Sequence, residues 1–228
     1  LNYLDENNLT DNTIVVYTSD QGFYLGEHGM YDKRFMYEES LQIPLLIRYP
    51  KVVKPGSIND DIVTNIDFAS TFLDYGNVPI PDDIQGESLR DIVEGNTPET
   101  WRQSMYYRYW MHGAHFNIPG HYGIRTKDYK LIYFYSKSLG YSHNEFYPTG
   151  HWNFEGNVIK DGEPYWEMYD LNNDPNELNN IYGKPQFTLI QERLRKELFE
   201  LKEFYDDSDE SFPELFELTK KYSHPLDD

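Results

Sequence analysis

The chain has 228 residues, of which 39% are hydrophobic and 17% aromatic, enough to build a packed core. Its net charge of −19 disfavours nucleic acid and anionic lipid as partners. The absence of cysteine excludes disulfides, thiolate metal sites and a cysteine nucleophile. No apolar run approaches the ~20 residues needed to span a membrane. No signal peptide can be identified at the start of the sequence.

The first hundred residues show the pattern of an α/β fold. Residues 13–19 and 44–49 are short and continuously apolar, which is typical of strands buried on both faces. Residues 62–75 place apolar side chains at helical spacing, which predicts a helix. A proline-stiffened loop follows at 78–83, and the sequence GNTPET at 95–100 predicts a boundary between domains.

The residues beyond this boundary predict an antiparallel sheet with one helix. Residues 104–109 and 166–171 are predicted strands, while 122–126 and 129–135 are aromatic segments joined by a polar turn, as in a β-hairpin. Residues 186–205 carry apolar side chains every three or four positions, which predicts an amphipathic helix packed on that sheet.

Three parts follow from these patterns. Residues 1–100 form the α/β part, and residues 101–205 form a smaller antiparallel subdomain with its helix. Residues 206–228 are acidic and weakly patterned, so we expect a loosely held tail.

The segment TSDQGFYLGEHGMYDKRF, residues 18–35, directly follows the first predicted strand and carries the main candidate site. A carboxylate at the carboxyl end of a strand lies where open α/β sheets bind ligands, so Asp20 is well placed. Asp20 and Gln21 offer oxygen ligands, which suit Ca²⁺ or Mg²⁺. The alternative is that Asp20 caps a turn and Gln21 is solvated. His28 and the pair Lys33 and Arg34 are the other candidate site residues of the segment.

Three histidines lie close together in the sequence MHGAHFNIPGHYG. His112, His115 and His121 could bind a transition metal, but the residues between them are irregular and form no helical pair of ligands. We therefore favour other roles for these histidines over zinc binding.

Four stretches of the chain together resemble the type I sulfatases of the alkaline phosphatase-like superfamily, most closely the N-acetylglucosamine-6-sulfatases that act on glycosaminoglycans. The stretches are NTIVVYTSDQGFYLGEHGMYDKRFMYEESLQIPLLIRYP, IDFASTFLDYGNVPIPDDIQGESL, YGIRTKDYKLIYF and MYDLNNDPNELNNIY. They cover roughly residues 10–205. The resemblance implies the C-terminal part of a large α/β core followed by a smaller domain with an antiparallel sheet and a packed helix.

The resemblance also implies the chemistry of the site. Asp20 and Gln21 would bind Ca²⁺, with Mg²⁺ as an alternative, and Lys33 would contact the sulfate. His28 would line the pocket, as a substrate hydrogen-bond donor or in proton transfer to the leaving alcohol. Arg34 would either bind substrate or pair with Glu38 or Glu39. A loop of the small domain would contact the sugar through His112, His115, Asn117 and His121.

The family's nucleophile is missing from these 228 residues. Sulfatases use a formylglycine made from Cys or Ser in the motif C/S-x-P-S-R, which does not occur here. The resemblance therefore implies the C-terminal portion of a sulfuric ester hydrolase, whose partner is the N-terminal half of the same enzyme. We expect no turnover from this portion alone.

The resemblance further implies a sulfated saccharide substrate, such as glucosamine-6-sulfate, and a periplasmic or secreted location. Two alternatives remain. One is a phosphonate or phosphate monoester hydrolase of the same superfamily. The other is a non-catalytic carbohydrate-binding module, which the missing nucleophile and the many tyrosines favour.

Overall fold

The structure of the chain is a computed structural model that combines helices with antiparallel sheets. It describes residues 1–113, 117–137 and 162–209, together with positions 213 and 217. In chain order, the elements are α1 (Asn2–Glu6), β1 (Val15–Thr18), β2 (Tyr24–Leu25), β3 (Tyr31–Asp32), α2 (Glu38–Leu41), β4 (Leu45–Arg48), α3 (Asp67–Tyr75), α4 (Arg90–Val93), β5 (Ser104–Tyr109), β6 (His121–Thr126), β7 (Tyr129–Phe134), β8 (Tyr165–Asp170) and α5 (Thr188–Phe204).

The chain forms two compact units. The first contains Leu1–Phe23 and Leu41–Gln103, and the second contains Tyr24–Ser40 and Ser104–Asp228. The segment Tyr24–Ser40, called the 24–40 segment below, therefore belongs to the second unit. The sequence patterns placed residues 1–100 in one contiguous part, and they did not indicate that this segment packs with the second unit.

The first unit contains the two strands predicted in the first hundred residues. β1 and β4 pair in antiparallel register, from Val15 opposite Arg48 to Thr18 opposite Leu45. Tyr17 and Leu46 are cross-strand partners, and each is 65% exposed. The expected burial was therefore wrong for these two side chains, because a pair of strands cannot cover both of its own faces.

The helix predicted at 62–75 begins later, at Asp67. The Asp67 carboxylate is fully buried and accepts hydrogen bonds from the Thr64 amide at 2.7 Å and from Arg102 at 2.6 and 2.8 Å. These bonds hold the residues before α3 in a turn. A buried carboxylate with this many donors is satisfied, and it joins the helix to the residues that precede β5.

The second unit is built on a four-stranded antiparallel sheet in the order β5, β6, β7, β8. The β6–β7 pair confirms the predicted hairpin, with Arg125 opposite Lys130 beside the turn. β8 adds to β7 with Tyr129 opposite Asp170. The four strands are thus neighbours in the sheet in the same order as in the sequence, as is common for consecutive strands.

Helix α5 covers one face of this sheet, as its periodicity predicted. Leu194 and Leu198 are fully buried against a cluster that includes Tyr122, Leu131 and Met168. This apolar face forms the main core of the second unit.

The 24–40 segment packs on the opposite face. The ring of Phe35 lies 6.1 Å from that of Phe134, and a Cβ added to Gly123 would come within 2.6 Å of Met36 Sδ. Successive residues of β7, such as Ile132 and Tyr133, are consequently both fully buried. Antiparallel sheets often leave one face in water, whereas this sheet is covered on both.

The first residues of the predicted tail are attached to the second unit. Arg108 pairs with the Asp207 carboxylate at 2.8 Å, and Lys202 pairs with the buried Asp209. The expectation of a loosely held segment from residue 206 was therefore wrong for these two aspartates, because each meets a buried basic group.

Candidate active site

The loop after β1 holds the predicted cation ligands Asp20 and Gln21. The Ser19 hydroxyl fixes this loop by donating to the Gln21 carbonyl at 2.8 Å, and it lies 3.3 Å from Asp20 Oδ1. Asn65 adds a hydrogen bond from Nδ2 to the Asp20 carbonyl at 3.3 Å. Asp20 itself is exposed. Its carboxylate is thus held at the surface of the first unit, where its oxygens can meet a cation.

An open cavity of about 480 Å³ lies at this end of β1. This volume is in the range of small-molecule sites. Polar and apolar side chains contribute to its wall: Thr18, Ser19, Asp20, Asn65, Ile66 and Phe68. The cavity therefore combines one carboxylate with hydroxyl and amide groups.

The oxygen atoms of Asp20, which lines this cavity, and of the next residue, Gln21, fit a hard cation in type, although not in number. Asp20 and Gln21 supply oxygens, as Ca²⁺ and Mg²⁺ require, whereas Ca²⁺ takes six to eight oxygen ligands. Within the described residues, no group of three or more His, Cys, Asp or Glu side chains could hold a metal ion. The described part of the chain can thus supply only a portion of a coordination shell.

The 24–40 segment carries the other main candidates on an unusual backbone. Tyr24 pairs with Asp32 through β2 and β3, which closes a loop between them. Within this loop Gly26, His28 and Gly29 have φ angles of 128°, 55° and 70°. Left-handed backbone is uncommon for a residue other than glycine, so the conformation of His28 is specified by its surroundings.

The His28 side chain is nearly enclosed, with 10% of its surface exposed. Its Nε2 lies 3.3 Å from Glu39 Oε2, its ring stacks on Tyr37 at 4.5 Å between centroids, and its edge meets Tyr24 at 6.1 Å. The ring is therefore constrained by one polar and two aromatic neighbours.

Lys33 and Arg34 differ in their contacts. Arg34 Nε pairs with Asp32 Oδ2 at 3.0 Å, so the expectation that it would pair with Glu38 or Glu39 was wrong. The Lys33 carbonyl accepts a hydrogen bond from the Ser40 hydroxyl at 2.8 Å. Across residues 1–113, 117–137 and 162–209, the Lys33 ammonium has no ion-pair partner. It can therefore bind an external anion.

A buried charge cluster attaches the 24–40 segment to β6 and β7. Lys130 Nζ is fully buried, 2.9 Å from Glu38 Oε1 and 2.7 Å from Glu177 Oε1. Arg125 pairs with Glu38 at 3.1 Å, and the Glu38 amide donates to Glu177 at 2.7 Å. Burial acts to raise the pKa of Glu38, but Lys130 and Arg125 outweigh it and lower that pKa. Burial raises the pKa of Glu177.

The predicted sugar-binding histidines are buried where the structure describes them. His112 Nδ1 accepts a hydrogen bond from the Gly120 amide at 3.1 Å. His121 Nδ1 lies 2.8 Å from the Pro119 carbonyl, and burial lowers the His121 pKa to about 4. Asn117 is exposed with a left-handed backbone, and His115 lies outside the described residues. The contacts of His112 and His121 favour a role in shaping this loop.

Sequence reasoning missed the residues that surround His28. Tyr37 and Glu39 were visible in the sequence, but neither periodicity nor spacing connects them to a histidine across a left-handed loop. Glu167, which accepts a hydrogen bond from the Tyr37 hydroxyl at 2.8 Å, is 130 positions away from it. Such contacts arise only when the segment folds onto the sheet.

The comparison with known families identifies the chain. Residues 26–148 and 158–204 match the family model of the N-sulphoglucosamine sulphohydrolase C-terminal region. The chain belongs to this sulfatase family. The predicted membership is thereby confirmed.

Individual sulfatases and related enzymes agree with this assignment. The chain is 47% identical over 211 residues to an N-acetylglucosamine-6-O-sulfatase of Bacteroides thetaiotaomicron, covering 92% of this chain and 33% of that protein. A solved structure of a protein in complex with its substrate D-glucosamine-2-N,6-O-disulfate has a TM-score of 0.78 and 46% identity, covering 92% of this chain and 38% of that one. These matches confirm the predicted alkaline phosphatase-like fold class.

A phosphonate monoester hydrolase from Silicibacter pomeroyi is similar with a TM-score of 0.70 and 22% identity, covering 90% of this chain and 37% of that one. Identity at this level shows a shared fold alone. The chain spans about a third of the length of the sulfatases it matches. Within its described part, no helix is both long enough and apolar enough to cross a membrane.

Proposed function

We propose that the complete protein removes a sulfate ester from the 6-position of a glucosamine-containing saccharide, and that this chain is its C-terminal portion. The observation that carries the proposal is the 46% identity, across 92% of the chain, to a protein solved with D-glucosamine-2-N,6-O-disulfate as its substrate. The 47% identity to an N-acetylglucosamine-6-O-sulfatase supports the same substrate class.

Lys33 and His28 are proposed to act on the sulfate group. The Lys33 ammonium can neutralise charge on the sulfuryl oxygens because it has no competing partner among the described residues. His28 is proposed to meet the substrate through its ring, as a hydrogen-bond donor or in proton transfer to the departing alcohol.

Asp20 and Gln21 are proposed to bind Ca²⁺, with Mg²⁺ as the alternative. Their oxygen donors at the surface of the first unit support this assignment. When bound, the cation would supply positive charge opposite the sulfuryl oxygens. The remaining ligands and the formylglycine nucleophile are proposed to lie in the N-terminal portion of the protein.

Recognition of the sugar is proposed to involve Arg34 and the loop with His112, His115, Asn117 and His121. The exposed Asn117 is suited to bond sugar hydroxyls directly, whereas the buried rings of His112 and His121 are suited to hold the loop in shape. Replacing these residues with alanine in the complete enzyme should raise KM for the preferred saccharide. An unchanged KM would show that this loop does not bind the saccharide.

The N-terminal portion is the proposed partner of the first unit. Tyr17 and Leu46 on the β1–β4 pair are large apolar side chains, and each is 65% exposed. Contiguous exposed apolar surface is typical of interfaces. Because sulfated glycans are extracellular polymers, a periplasmic or secreted location is proposed.

The decisive experiment compares the complete protein with the 228-residue chain on glucosamine-6-sulfate. We expect sulfate release from the complete protein, loss of release after chelation of divalent cations, and none from the chain alone. Replacing Lys33 with methionine in the complete protein should reduce kcat/KM by about 10²-fold or more, because a charge-stabilising group is lost. Detectable sulfate release by the chain alone would contradict the proposal that the nucleophile lies in the N-terminal portion.

A phosphonate or phosphate monoester hydrolase is the second candidate, which the shared fold with the Silicibacter pomeroyi enzyme supports. Parallel assays of sulfate, phosphate and phosphonate monoesters on the complete protein distinguish the two. A kcat/KM that favours the phosphorus esters would reverse the order of the candidates. A non-catalytic carbohydrate-binding module is the third, and it would bind saccharide without releasing sulfate or phosphate.

A further inference from the structure

His28 has a conformation that the fold imposes on it. Its φ of 55° lies in the left-handed region, which is sterically unfavourable for an L-residue. Gly26 and Gly29 also have positive φ, so three of the four residues from 26 to 29 lie outside the backbone conformations that L-residues usually adopt. Strain of this kind persists only where neighbouring contacts fix the residue, and it accumulates at functional sites.

The aromatic residues around His28 are themselves fixed. The Tyr37 ring stacks on His28 with 23° between the planes, and its hydroxyl is tied to Glu167 at 2.8 Å. The Tyr24 hydroxyl donates to the Phe35 carbonyl at 3.1 Å and accepts from the Tyr37 amide at 3.3 Å. These bonds leave the His28 ring little freedom to rotate.

Glu39 is fixed through its neighbour Glu38. The Glu38 carboxylate enters the buried cluster with Lys130 and Arg125, while its amide donates to Glu177. With the backbone fastened at Glu38, the side chain of the next helical residue points in a different direction, and Glu39 Oε2 is 3.3 Å from His28 Nε2. Two adjacent glutamates therefore serve different partners.

We propose that Glu39 is a positioning residue for His28 and that it selects which ring nitrogen meets the sulfated substrate. An ionised carboxylate only accepts hydrogen bonds, so the proton of the neutral ring resides on Nε2. Nδ1 has no partner among the described residues and remains for the ligand. It can accept a hydrogen bond from a sugar hydroxyl, or donate one to a sulfate oxygen when the ring carries both protons. This inference rests on the proposed function.

A double-mutant cycle in the complete enzyme tests the proposal with glucosamine-6-sulfate as substrate. His28→Ala should lower kcat/KM by about 10²–10³-fold, and Glu39→Ala by about 10–100-fold, as expected for a residue that orients another. The double variant should match His28→Ala, because Glu39 acts through His28. Losses that multiply in the double variant would overturn the proposal.

Two further variants separate positioning from folding. Glu39→Gln keeps an oxygen that can accept the Nε2 proton, so it should recover most of the activity lost in Glu39→Ala. Glu192→Ala removes an exposed glutamate of the same unit and should leave kcat, KM and the melting temperature unchanged. If Glu39→Gln and Glu39→Ala are equally impaired, orientation by an acceptor oxygen is wrong.

A spectroscopic measurement tests the same contact without activity. Long-range ¹H–¹⁵N spectra of His28 should show the proton on Nε2 in the wild-type protein and a mixture of the two tautomers in Glu39→Ala. A proton on Nδ1 in the wild type would overturn the proposal. Absence of sulfate release from the wild type would instead refute the proposed function, and the tautomer would still decide the role of Glu39.

Discussion

The two faces of the β5–β8 sheet are covered by different kinds of structure. On one face α5 contributes Leu194 and Leu198 to an apolar core. On the other face the 24–40 segment contributes a buried charge cluster, through Glu38, and an aromatic and polar enclosure around His28. The helix-covered face is an apolar core, whereas the segment-covered face also holds candidate catalytic groups.

This difference determines how each face responds to mutation. Apolar packing has no preferred direction, so a lost methyl group is partly compensated by relaxation of its neighbours. A buried charge has no such compensation when its partner is removed. The segment-covered face should therefore be the more sensitive of the two to single changes.

Lys130→Ala should have the largest effect on the sheet. The ammonium is fully buried between Glu38 and Glu177, so its removal takes from Glu177 the ion pair it makes with Lys130 and leaves Glu38 with Arg125. We expect a loss of about 3–5 kcal/mol in the free energy of unfolding, measured by urea denaturation. Lys196→Ala is the matched control, because that lysine is 79% exposed and should change little. Similar urea midpoints for the two variants would contradict the comparison.

Leu198→Ala tests the helix-covered face. The Leu198 side chain is fully buried. We expect a loss of about 2–5 kcal/mol in the free energy of unfolding, because the variant buries less apolar surface and leaves a cavity. Leu189→Ala on the same helix is the control, since Leu189 is 80% exposed. The His28 tautomer should be unchanged in Leu198→Ala, because the mutation lies on the opposite face. A changed tautomer would show that the two faces are coupled.

Sequence patterns were sufficient to predict the helix that covers one face of the sheet and the hairpin beneath it. The spacing of Leu194 and Leu198 follows the 3.6-residue period, so burying them requires only that α5 forms. The hairpin was also predictable, because the turn between β6 and β7 lies within a few residues of both strands. These features depend on local geometry, which single-sequence patterns describe well.

The segment-covered face could be predicted only in part. His28 and Lys33 were identified from the motif that contains them, but the surroundings of His28 were not. β2 and β3 have two residues each, too few for an alternating pattern. The Tyr37 hydroxyl bonds to Glu167 on β8 and the Glu38 carboxylate bonds to Arg125 on the hairpin, each more than 80 positions along the chain. Contacts of this range depend on the whole fold.

Gly123→Ala should disturb the segment-covered face more gently. A Cβ at this position would lie 2.4 Å from the Leu131 carbonyl oxygen and 2.6 Å from Met36 Sδ. The backbone oxygen cannot move easily, so we expect a loss of about 1–3 kcal/mol in the free energy of unfolding. The His28 resonances should shift as well, because Met36 belongs to the segment that carries His28. An unchanged urea midpoint would mean that the segment packs less closely on β6 than described.

Glu167→Gln should have the smallest effect and should appear mainly in the pH dependence of stability. Burial raises the pKa of Glu167, which accepts hydrogen bonds from the Tyr37 and Tyr169 hydroxyls and lies near His28. Because the folded protein holds this proton more tightly than the unfolded chain, stability from Glu167 is full below its ordinary pKa and falls as pH rises through the raised value.

The wild type should therefore lose stability across this window, and Glu167→Gln should lose less because the amide does not ionise. Urea denaturation at pH intervals on both sides of the ordinary glutamate pKa measures the difference in slope. Glu192→Gln, at an exposed site, should keep the wild-type profile. A steeper loss of stability with pH in Glu167→Gln than in the wild type would mean that the fold stabilises the charged form of Glu167, as it does for Glu38. This part of the segment-covered face would then behave like the charge cluster beside it.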